Sequence, residues 1–484
     1  MAGLLRRLAA SSAAYQAASL LAAALALLTL PLYTKHLTEA DYGYAETLLT
    51  FIILASIVLR LGIGESFVRF WFDDDDHERR LSLARTATGW TFWATTPLVV
   101  LGVLLAGPLS DLLLNHRDAV LMSYGLLGLW AFTNLEIAYA LLRVEERRRT
   151  YMYASLANVV LTVTLTVLLV VVADQGARGY VLGNYAASTV VLLALWVTRL
   201  DRVSLRPPQR LRALLVFGAP TVPADAALFA LNVLDRAYLL RAESAAAAGQ
   251  YAFAAKLSGV VIVAVRGFQA AWPPLAYSIT DEEQARRLYA RVTTAYVVVT
   301  GLVVCGVTLL GRWVVDLLSS RPGFEVASEA LPWVALGWAL YGLVLVQVTI
   351  AGRAKVTTRN FPATLAGLAV NAVLLVTLVG PLGIAGAGIA LCGSYLVMLV
   401  VLHLLTRRLF HVPFERGRIA AAVTIFTALG VGGELLLPDS GATGFAVRLA
   451  VLGAAPPLLV VAGVVRPAEL RALRGQRRTV VESR

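Results

Sequence analysis

Charged side chains inside long apolar segments are the residues of this sequence that could do chemistry. Asp225, Asn232 and Arg236 occupy positions i, i+7 and i+11 of one apolar segment, and Asp235 adjoins them. That spacing places the three on one face of a helix. Burying an ionisable group in hydrocarbon costs about 2.5–3.5 kcal/mol on insertion scales, so such groups normally face a cavity or a partner. The pattern predicts a polar stripe directed away from lipid.

Basic residues recur in two other apolar segments. Lys256 and Arg266 lie in one of them, and Arg60 and Arg69 lie in and just after another. Two readings stay open at this point. The side chains could line a polar cavity, or Asp235 could pair with Lys256 and Glu136 with Arg143 simply to hold helices together. A third possibility applies to Arg60 and Arg266, whose long stems could carry their charge to the lipid head groups.

Three prolines mark positions where helices can bend. Pro31 lies near the end of the first apolar segment, and Pro220 and Pro223 flank Thr221 just before Asp225. Proline removes a backbone donor and frees a carbonyl, which protein or cavity water must then satisfy. We predict that these prolines form gating hinges, although a static kink would give the same pattern.

The other reactive side chains of the sequence indicate neither a catalytic site nor a metal site. Asp73–Asp76 precede His77 and Glu78, and a solvated loop accounts for them better than a metal site. Cys305 and Cys392 fall inside apolar segments, where free cysteine behaves as a small packing residue. We find no phosphate-binding loop, zinc spacing or nucleophile motif. The sequence therefore predicts no catalytic residue, no metal and no cofactor.

The elements that must position these residues are membrane spans. Hydrophobic residues make up 58% of the 484 residues, more than the roughly 45–50% of soluble domains. A span needs about 20 apolar residues. Fourteen stretches qualify, namely 11–34, 42–64, 86–110, 118–142, 151–173, 178–199, 211–240, 248–272, 288–310, 328–352, 361–380, 383–405, 418–437 and 444–465. The fold class predicted is all-α and polytopic, with the first span retained rather than cleaved.

The charges between the spans predict the orientation. Lysine and arginine alternate between rich and poor gaps, about 31 against 6, and both termini fall on the rich side. Basic loops stay in the cytoplasm, so both termini are predicted to be cytoplasmic. The net charge of +12 is thus explained by topology and by attraction to anionic lipids, not by nucleic acid.

Two segments of the chain resemble each other. The second span opens with ADYGYAETLLTFIILASIVLR, and the eighth span opens with AAAGQYAFAAKLSGVVIVAVR. In the first segment Arg60 follows Tyr44 by sixteen residues, and in the second Arg266 follows Tyr251 by fifteen. Six spans separate the copies, so both halves insert in the same orientation. We predict two six-helix lobes related by a pseudo-two-fold axis around a central cavity, 1–203 and 204–410. Accessory helices at 411–466 and a basic cytoplasmic tail at 467–484 follow.

Four motifs resemble a known family. LPLYTKHLTEADYG at 30–43, LGIGESFVRF at 61–70, FGAPTVPADAALFALNVLDRAYLL from 217 and GQYAFAAKL ending at 257 are similar to the Wzx-type polysaccharide-biosynthesis flippases. These belong to the MOP exporter superfamily, as do MATE drug exporters and lipid II flippases. The resemblance implies alternating access, a bacterial plasma membrane location and a cationic cavity. The substrate-cavity residues expected are Arg60, Arg69, Asp225, Asn232, Asp235, Arg236, Lys256 and Arg266.

The resemblance implies a flippase, not an enzyme, that moves a polyprenyl-diphosphate-linked oligosaccharide to the outer leaflet. Its expected partners are that substrate and membrane lipids, with a polysaccharide polymerase and glycosyltransferases as further candidates. The main alternative is a MATE-like exporter of small cations, which would need a net acidic cavity. A membrane glycosyltransferase or polymerase would need a large outer loop with acidic catalytic residues, and the largest outer gap, about 311–327, offers only Asp316 and Glu325. A passive scaffold is the remaining alternative.

Overall fold

The fold is a chain of helices. The computed structural model describes residues 24–72, 76–204, 211–279, 281–354 and 356–466, and every regular element among them is helical. The helices are α1 (Leu30–His36), α2 (Glu39–Arg60), α3 (Ile63–Trp71), α4 (His77–Leu104), α5 (Ala106–Leu114), α6 (Ala119–Val144), α7 (Arg148–Val167), α8 (Gly176–Thr198), α9 (Leu211–Gly218), α10 (Val222–Ala242), α11 (Ala245–Leu257), α12 (Gly259–Ser278), α13 (Glu282–Leu318), α14 (Ala327–Arg353), α15 (Asn360–Thr406), α16 (Arg416–Leu436) and α17 (Gly441–Val461). The predicted all-α, polytopic class is confirmed.

The described residues hold eleven or twelve candidate spans, against the fourteen predicted for the whole chain. Eleven helical segments are long and apolar enough to cross a membrane, and α11 with α12 forms a further span bent by 49°. The 47-residue α15 is broken at Gly383, which has φ 52° and ψ −135°, between the predicted spans 361–380 and 383–405. The predicted first span lies only partly within the described residues, and the basic tail lies outside them. The total of fourteen stays a prediction.

Side-chain caps fix where several helices begin. Before α2, the Thr38 hydroxyl accepts a hydrogen bond from the Asp41 backbone N–H at 3.0 Å, and the Asp41 carboxylate accepts one from the Thr38 N–H at 3.3 Å. The Asp76 carboxylate accepts a hydrogen bond from the Glu78 N–H at the start of α4, and the Asp118 carboxylate accepts one from the Leu121 N–H at the start of α6. Each cap satisfies a backbone donor that the first helical turn leaves unpaired. The sequence therefore defines these helix starts locally.

The chain forms two compact units. The first extends to Phe253 and also holds Leu318–Phe324 and Leu375–Ala387, while the second holds Ala254–Leu317, Glu325–Leu374 and the chain from Gly388. The lobes expected at 1–203 and 204–410 remain a prediction, as do the accessory pair and the tail.

Each unit has an apolar core of its own. In the first, Ile63, Phe67 and Trp71 of α3 pack with residues of α4, α6 and α9. In the second, Cys305 of α13 packs with Phe426 of α16 and Leu459 of α17. Cys392 is also buried and free. Both cysteines thus occupy packing positions, as the sequence indicates.

Candidate functional site

A break near the end of the second predicted span, 42–64, is the centre of the candidate site in the first unit. Helix α2 ends at Arg60, and the next two residues, Leu61 and Gly62, take left-handed conformations with φ 45° and 68°. Helix α3 then continues the chain from Ile63. A left-handed residue ends a helix because it turns the backbone out of the helical path. The break leaves Arg60 at a helix end rather than in the middle of a continuous span.

A second break faces the first one. Helix α9 ends at Gly218, a 3-10 turn covers Ala219–Thr221, and α10 begins at Val222. A side chain on Gly62 would put its Cβ 2.1 Å from the Gly218 carbonyl oxygen. The Ser66 hydroxyl donates to the Leu214 carbonyl at 2.7 Å. The backbones of the two breaks are therefore in direct contact, which only glycine permits.

The prolines lie at helix interruptions. Pro220 is in the 3-10 turn and Pro223 is in the first turn of α10. Pro31 is in the first turn of α1, where the helix restarts after Thr29, and its carbonyl accepts a hydrogen bond from the Ser320 hydroxyl at 2.9 Å. All three prolines thus lie at or next to helix interruptions, whereas bending and gating at these positions stay a prediction.

Arg60 forms an ion pair across the first unit. Its Nη1 lies 3.8 Å from Glu136 Oε2 on α6, and the Arg60 side chain is 19% exposed. Its Nε donates to the Ser56 carbonyl at 3.3 Å. Asp225 at the start of α10 lies within electrostatic range of both Arg60 and Glu65. The expected Glu136–Arg143 pair is thus replaced by Glu136–Arg60, because the end of α2 faces α6. The Arg60 side chain is therefore mostly buried within the protein.

A second charged network connects the first half of α2 to the second half of α10. The Arg236 guanidinium donates to the Thr50 hydroxyl and lies 3.7 Å from Glu46 Oε2. The Tyr180 hydroxyl donates to Glu46 Oε1 at 2.8 Å. Asp235, which is 1% exposed, accepts a hydrogen bond from the Tyr251 hydroxyl at 2.8 Å. Charges buried in this way persist only when they are paired.

The four other predicted residues lie on α3, α10, α11 and α12. Arg69 is exposed in the last turn of α3, and Asn232 lies in α10, where its side chain is not described. Lys256 and Arg266 belong to the second unit, in α11 and α12. Lys256 is half-buried, and Arg266 is exposed within electrostatic range of Tyr341.

Sequence reasoning missed two features of the site. Glu46 is 7% exposed and forms the buried pair with Arg236, yet it was not among the residues expected to line the cavity. A single carboxylate in the middle of an apolar span was the available signal, because such a group needs a partner. The break at Leu61–Gly62 was also missed, since no proline marks it.

The site can bind both signs of charge. In the first unit, Arg60 pairs with Glu136 and Arg236 with Glu46, and Asp225 and Asp235 lie on the same helix as Arg236. Guanidinium groups here could hold phosphate oxygens, and the carboxylates could hold a cation. Among the described residues, no group of three or more His, Cys, Asp or Glu is placed to hold a metal ion.

Comparisons with known proteins agree on a family and on a fold. The model of a family described as "Polysaccharide biosynthesis protein" matches residues 8–279. The lipid II flippase MurJ, in an inward closed conformation, is similar with a TM-score of 0.76 and 12% identity, over 92% of this chain and 97% of that chain. An inward-facing multidrug resistance MATE transporter of the MOP superfamily gives 0.67 and 15%, over 83% and 96%.

A third solved structure and the curated proteins complete the comparison. A MOP superfamily transporter from Pyrococcus furiosus, described as having a binding pocket of reverse polarity, gives a TM-score of 0.57 and 16% identity, over 84% of this chain and 94% of that one. No curated protein sequence matches the chain. At these identities the likeness establishes the fold, which is the MOP fold expected from the sequence motifs.

Proposed function

This chain belongs to the polysaccharide biosynthesis protein family, and from that membership we propose that it moves a lipid-linked oligosaccharide across the membrane. The substrate proposed is a polyprenyl diphosphate oligosaccharide, carried from the cytoplasmic to the outer leaflet by alternating access. The location proposed is a bacterial plasma membrane with both termini in the cytoplasm. Glycosyltransferases would supply the substrate and a polysaccharide polymerase would consume it.

The energetics of the substrate explain why such a protein is needed. The polyprenyl tail is soluble in lipid, but each unpaired hydroxyl of the sugar costs on the order of 1–3 kcal/mol when it leaves water, and a diphosphate costs far more. Polar groups inside the protein would replace water along the path. An inside-negative potential would favour outward movement of an anion by about 2.3 kcal/mol per charge per 100 mV.

One observation carries the proposal, namely Arg60 at the α2–α3 break. Its guanidinium is mostly buried and its carboxylate partner lies at 3.8 Å, longer than the about 2.7–2.9 Å of a tight charge-assisted hydrogen bond. A loosely held guanidinium can exchange its carboxylate for a phosphate. Asp225 and the Pro220–Pro223 segment lie at the adjoining break, so movement of that segment would change the surroundings of Arg60.

We predict that Arg60→Ala and Arg266→Ala each reduce polysaccharide export by at least about tenfold, because each removes a charge-assisted contact of roughly 1.5–3 kcal/mol. The measurement is surface polysaccharide in a deletion strain that expresses each variant at wild-type level. Arg287→Ala is the matched control, since that arginine is 66% exposed in a pair with Glu283 on α13.

Two results would decide the proposal. The deletion strain should accumulate lipid-linked oligosaccharide facing the cytoplasm, and Arg60→Lys should retain part of the export. Wild-type export by both alanine variants would remove the cavity role from these arginines. Absence of the accumulated intermediate would overturn the substrate assignment itself.

A second candidate function is export of small cations, which the acidic groups of the first unit favour. On α2, α6 and α10, the carboxylates of Glu46, Glu136, Asp225 and Asp235 accompany Arg60 and Arg236, and a carboxylate can bind a cation. If cations are the substrate, we expect overexpression to raise tolerance to cationic drugs, and Asp225→Asn to cancel the gain. Equal tolerance with and without the protein would exclude this function.

A further inference from the structure

The first unit has a basic cavity that lies outside the candidate site just described. Its volume is about 460 Å³, and its lining includes Trp71, Phe72, Arg80, Glu145, Arg147 and Arg202. These residues come from the end of α3, the start of α4, the turn after α6 and the turn after α8. The arginine distribution predicts that this end of the helices faces the cytoplasm.

One carboxylate in the cavity holds three guanidinium groups. Glu145 Oε1 lies 3.0 Å from Arg202 Nε, its Oε2 lies 3.2 Å from Arg147 Nε, and Arg199 forms an ion pair with the same oxygen. The Glu145 side chain is 8% exposed. The neighbouring Glu146 is 75% exposed and lies 3.8 Å from Arg148. A single carboxylate cannot neutralise three arginines.

One buried guanidinium donor is left over around Glu145. Within the described residues, Arg199 Nη1 is buried without a hydrogen-bond partner. Arg202 Nε, in contrast, lies 3.0 Å from Glu145 Oε1. Asp201 Oδ2 lies 3.3 Å from Arg202 Nε but is 60% exposed. The charged residues that line the cavity are Arg80, Arg147 and Arg202 against Glu145 and Glu146, and the adjoining Arg199 and Asp201 add one charge of each sign. Buried donors of this kind are normally satisfied, and phosphate oxygens satisfy guanidinium groups in pairs.

The arginines are fixed by contacts to neighbouring helices. Arg85 Nε donates to the Asp201 carbonyl at 3.0 Å, and the Ser204 N–H donates to the Thr88 hydroxyl at 3.3 Å. Both bonds hold the turn after α8 against α4. Arg80 Nε donates to the Trp71 carbonyl at 3.1 Å, and its guanidinium lies 5.6 Å from the Trp71 ring. The basic groups are therefore held in place before any ligand arrives.

We propose that this cavity binds a phosphate-bearing ligand at the cytoplasmic end of the first unit, separate from the transport path. The phosphate lies against the guanidinium groups of Arg147 and Arg202. Trp71 and Phe72 supply an aromatic wall, and Phe72 is 63% exposed. Two sources share this chemistry, an anionic phospholipid head group and a soluble phosphate compound. Aromatic residues at a membrane interface next to basic groups favour the lipid.

The test measures binding by native mass spectrometry of the full chain, purified in neutral detergent. Dioctanoyl phosphatidylglycerol is titrated against wild type, Arg147→Gln, Arg147→Lys and Arg149→Gln. Arg147 is half-exposed, so its variants are expected to fold, and their unfolding midpoints are measured as the check. Arg149 is the matched control. It is exposed at the start of α7, two residues after Arg147, and it does not line the cavity.

We expect Arg147→Gln to weaken retention of one phosphatidylglycerol about tenfold, Arg147→Lys to retain most of it, and Arg149→Gln to leave it unchanged. Zwitterionic dioctanoyl phosphatidylcholine should bind more weakly than phosphatidylglycerol. Displacement by millimolar inorganic phosphate would identify phosphate alone as the recognised group. Its failure to displace the lipid would identify the phospholipid as the source.

Two outcomes would overturn the proposal: equal phosphatidylglycerol retention by wild type and Arg147→Gln, or equal loss in Arg147→Gln and Arg149→Gln. The second would mean that the bound lipid responds only to overall charge. Because the readout is binding and not export, failure here leaves the flippase assignment untouched, and loss of the flippase assignment leaves this site untouched.

Discussion

Gly62→Ala is expected to unfold or inactivate the protein, whereas Gly64→Ala, two residues away, is expected to be tolerated. An alanine at position 62 would have to keep φ at 68° with its Cβ 2.1 Å from the Gly218 carbonyl oxygen. The left-handed conformation alone costs about 1–2 kcal/mol for a residue with a Cβ. Relief of the clash requires separating two backbones, so we expect a total loss of about 3–4 kcal/mol.

Gly64→Ala, the control, is expected to change the stability of the protein in the opposite direction to Gly62→Ala. A Cβ on Gly64 would lie 3.9 Å from its nearest neighbours, Arg60 Nη1 and Ile137 Cδ1, which is ordinary contact. Glycine inside a helix is destabilising by roughly 0.5–1 kcal/mol relative to alanine, so Gly64→Ala should raise stability slightly. The measurements are the thermal unfolding midpoint in detergent and export in a deletion strain.

A reciprocal variant tests the contact between the two breaks. A Cβ on Gly218 would lie 2.3 Å from the Gly62 carbonyl oxygen, so Gly218→Ala should reproduce the loss without any left-handed strain. Comparable midpoints for Gly62→Ala and Gly64→Ala would contradict the close approach. A severe Gly62→Ala beside a mild Gly218→Ala would assign the effect to backbone conformation alone.

The positions of the spans could be predicted from sequence because hydrocarbon imposes one simple condition. A segment must be apolar over about 20 residues, and that condition is local. The predicted 178–199 and 418–437 correspond closely to the observed Gly176–Thr198 and Arg416–Leu436. The helix interruption at Pro220 was also predictable, because proline removes a hydrogen bond wherever the chain goes.

The pairing of charges could not be predicted, because it depends on which helices become neighbours. Periodicity places Glu136 and Arg143 on one face of α6, and that local geometry favoured their pairing. Packing instead brings the end of α2 against α6, so Glu136 faces Arg60. Glu46 was missed for the same reason, since its partner Arg236 is distant in sequence and adjacent only after α2 and α10 pack.

The two similar segments that open the second and eighth predicted spans also correspond in the structure, and they correspond at their glycines rather than at their tyrosines. In the two similar segments, glycine holds the fourth position, at Gly43 and Gly249, and arginine the last. A Cβ on Gly43 would lie 1.9 Å from the Ala245 carbonyl oxygen, and one on Gly249 would lie 1.9 Å from the Glu39 carbonyl oxygen. Glu39 and Ala245 are themselves equivalent, four residues before each glycine. The contact between the starts of α2 and α11 is thus locally symmetric.

Removing one partner of the buried Glu46–Arg236 pair is expected to have the second large effect on stability and export. The side chains of Arg236 and Glu46 are 18% and 9% exposed, so removing one partner leaves a charge in an apolar interior. Breaking a buried ion pair in this way costs about 3–5 kcal/mol. We expect Arg236→Met to lower the unfolding midpoint strongly and to abolish export. Arg312→Met is the matched control, because Arg312 and Asp439 are 50% and 61% exposed and such surface pairs contribute about 0–1 kcal/mol.

A double variant separates stability from transport. Glu46→Met combined with Arg236→Met removes both charges, and apolar replacements of a buried pair are often neutral or stabilising. We therefore expect the double variant to recover most of the unfolding midpoint that Arg236→Met loses. Export should stay absent if the charges exchange partners during transport, and it should return if the pair only holds α2 to α10. A single Arg236→Met variant as mild as Arg312→Met would show that the pair is not buried from water, and the packing of α2 against α10 would then need revision.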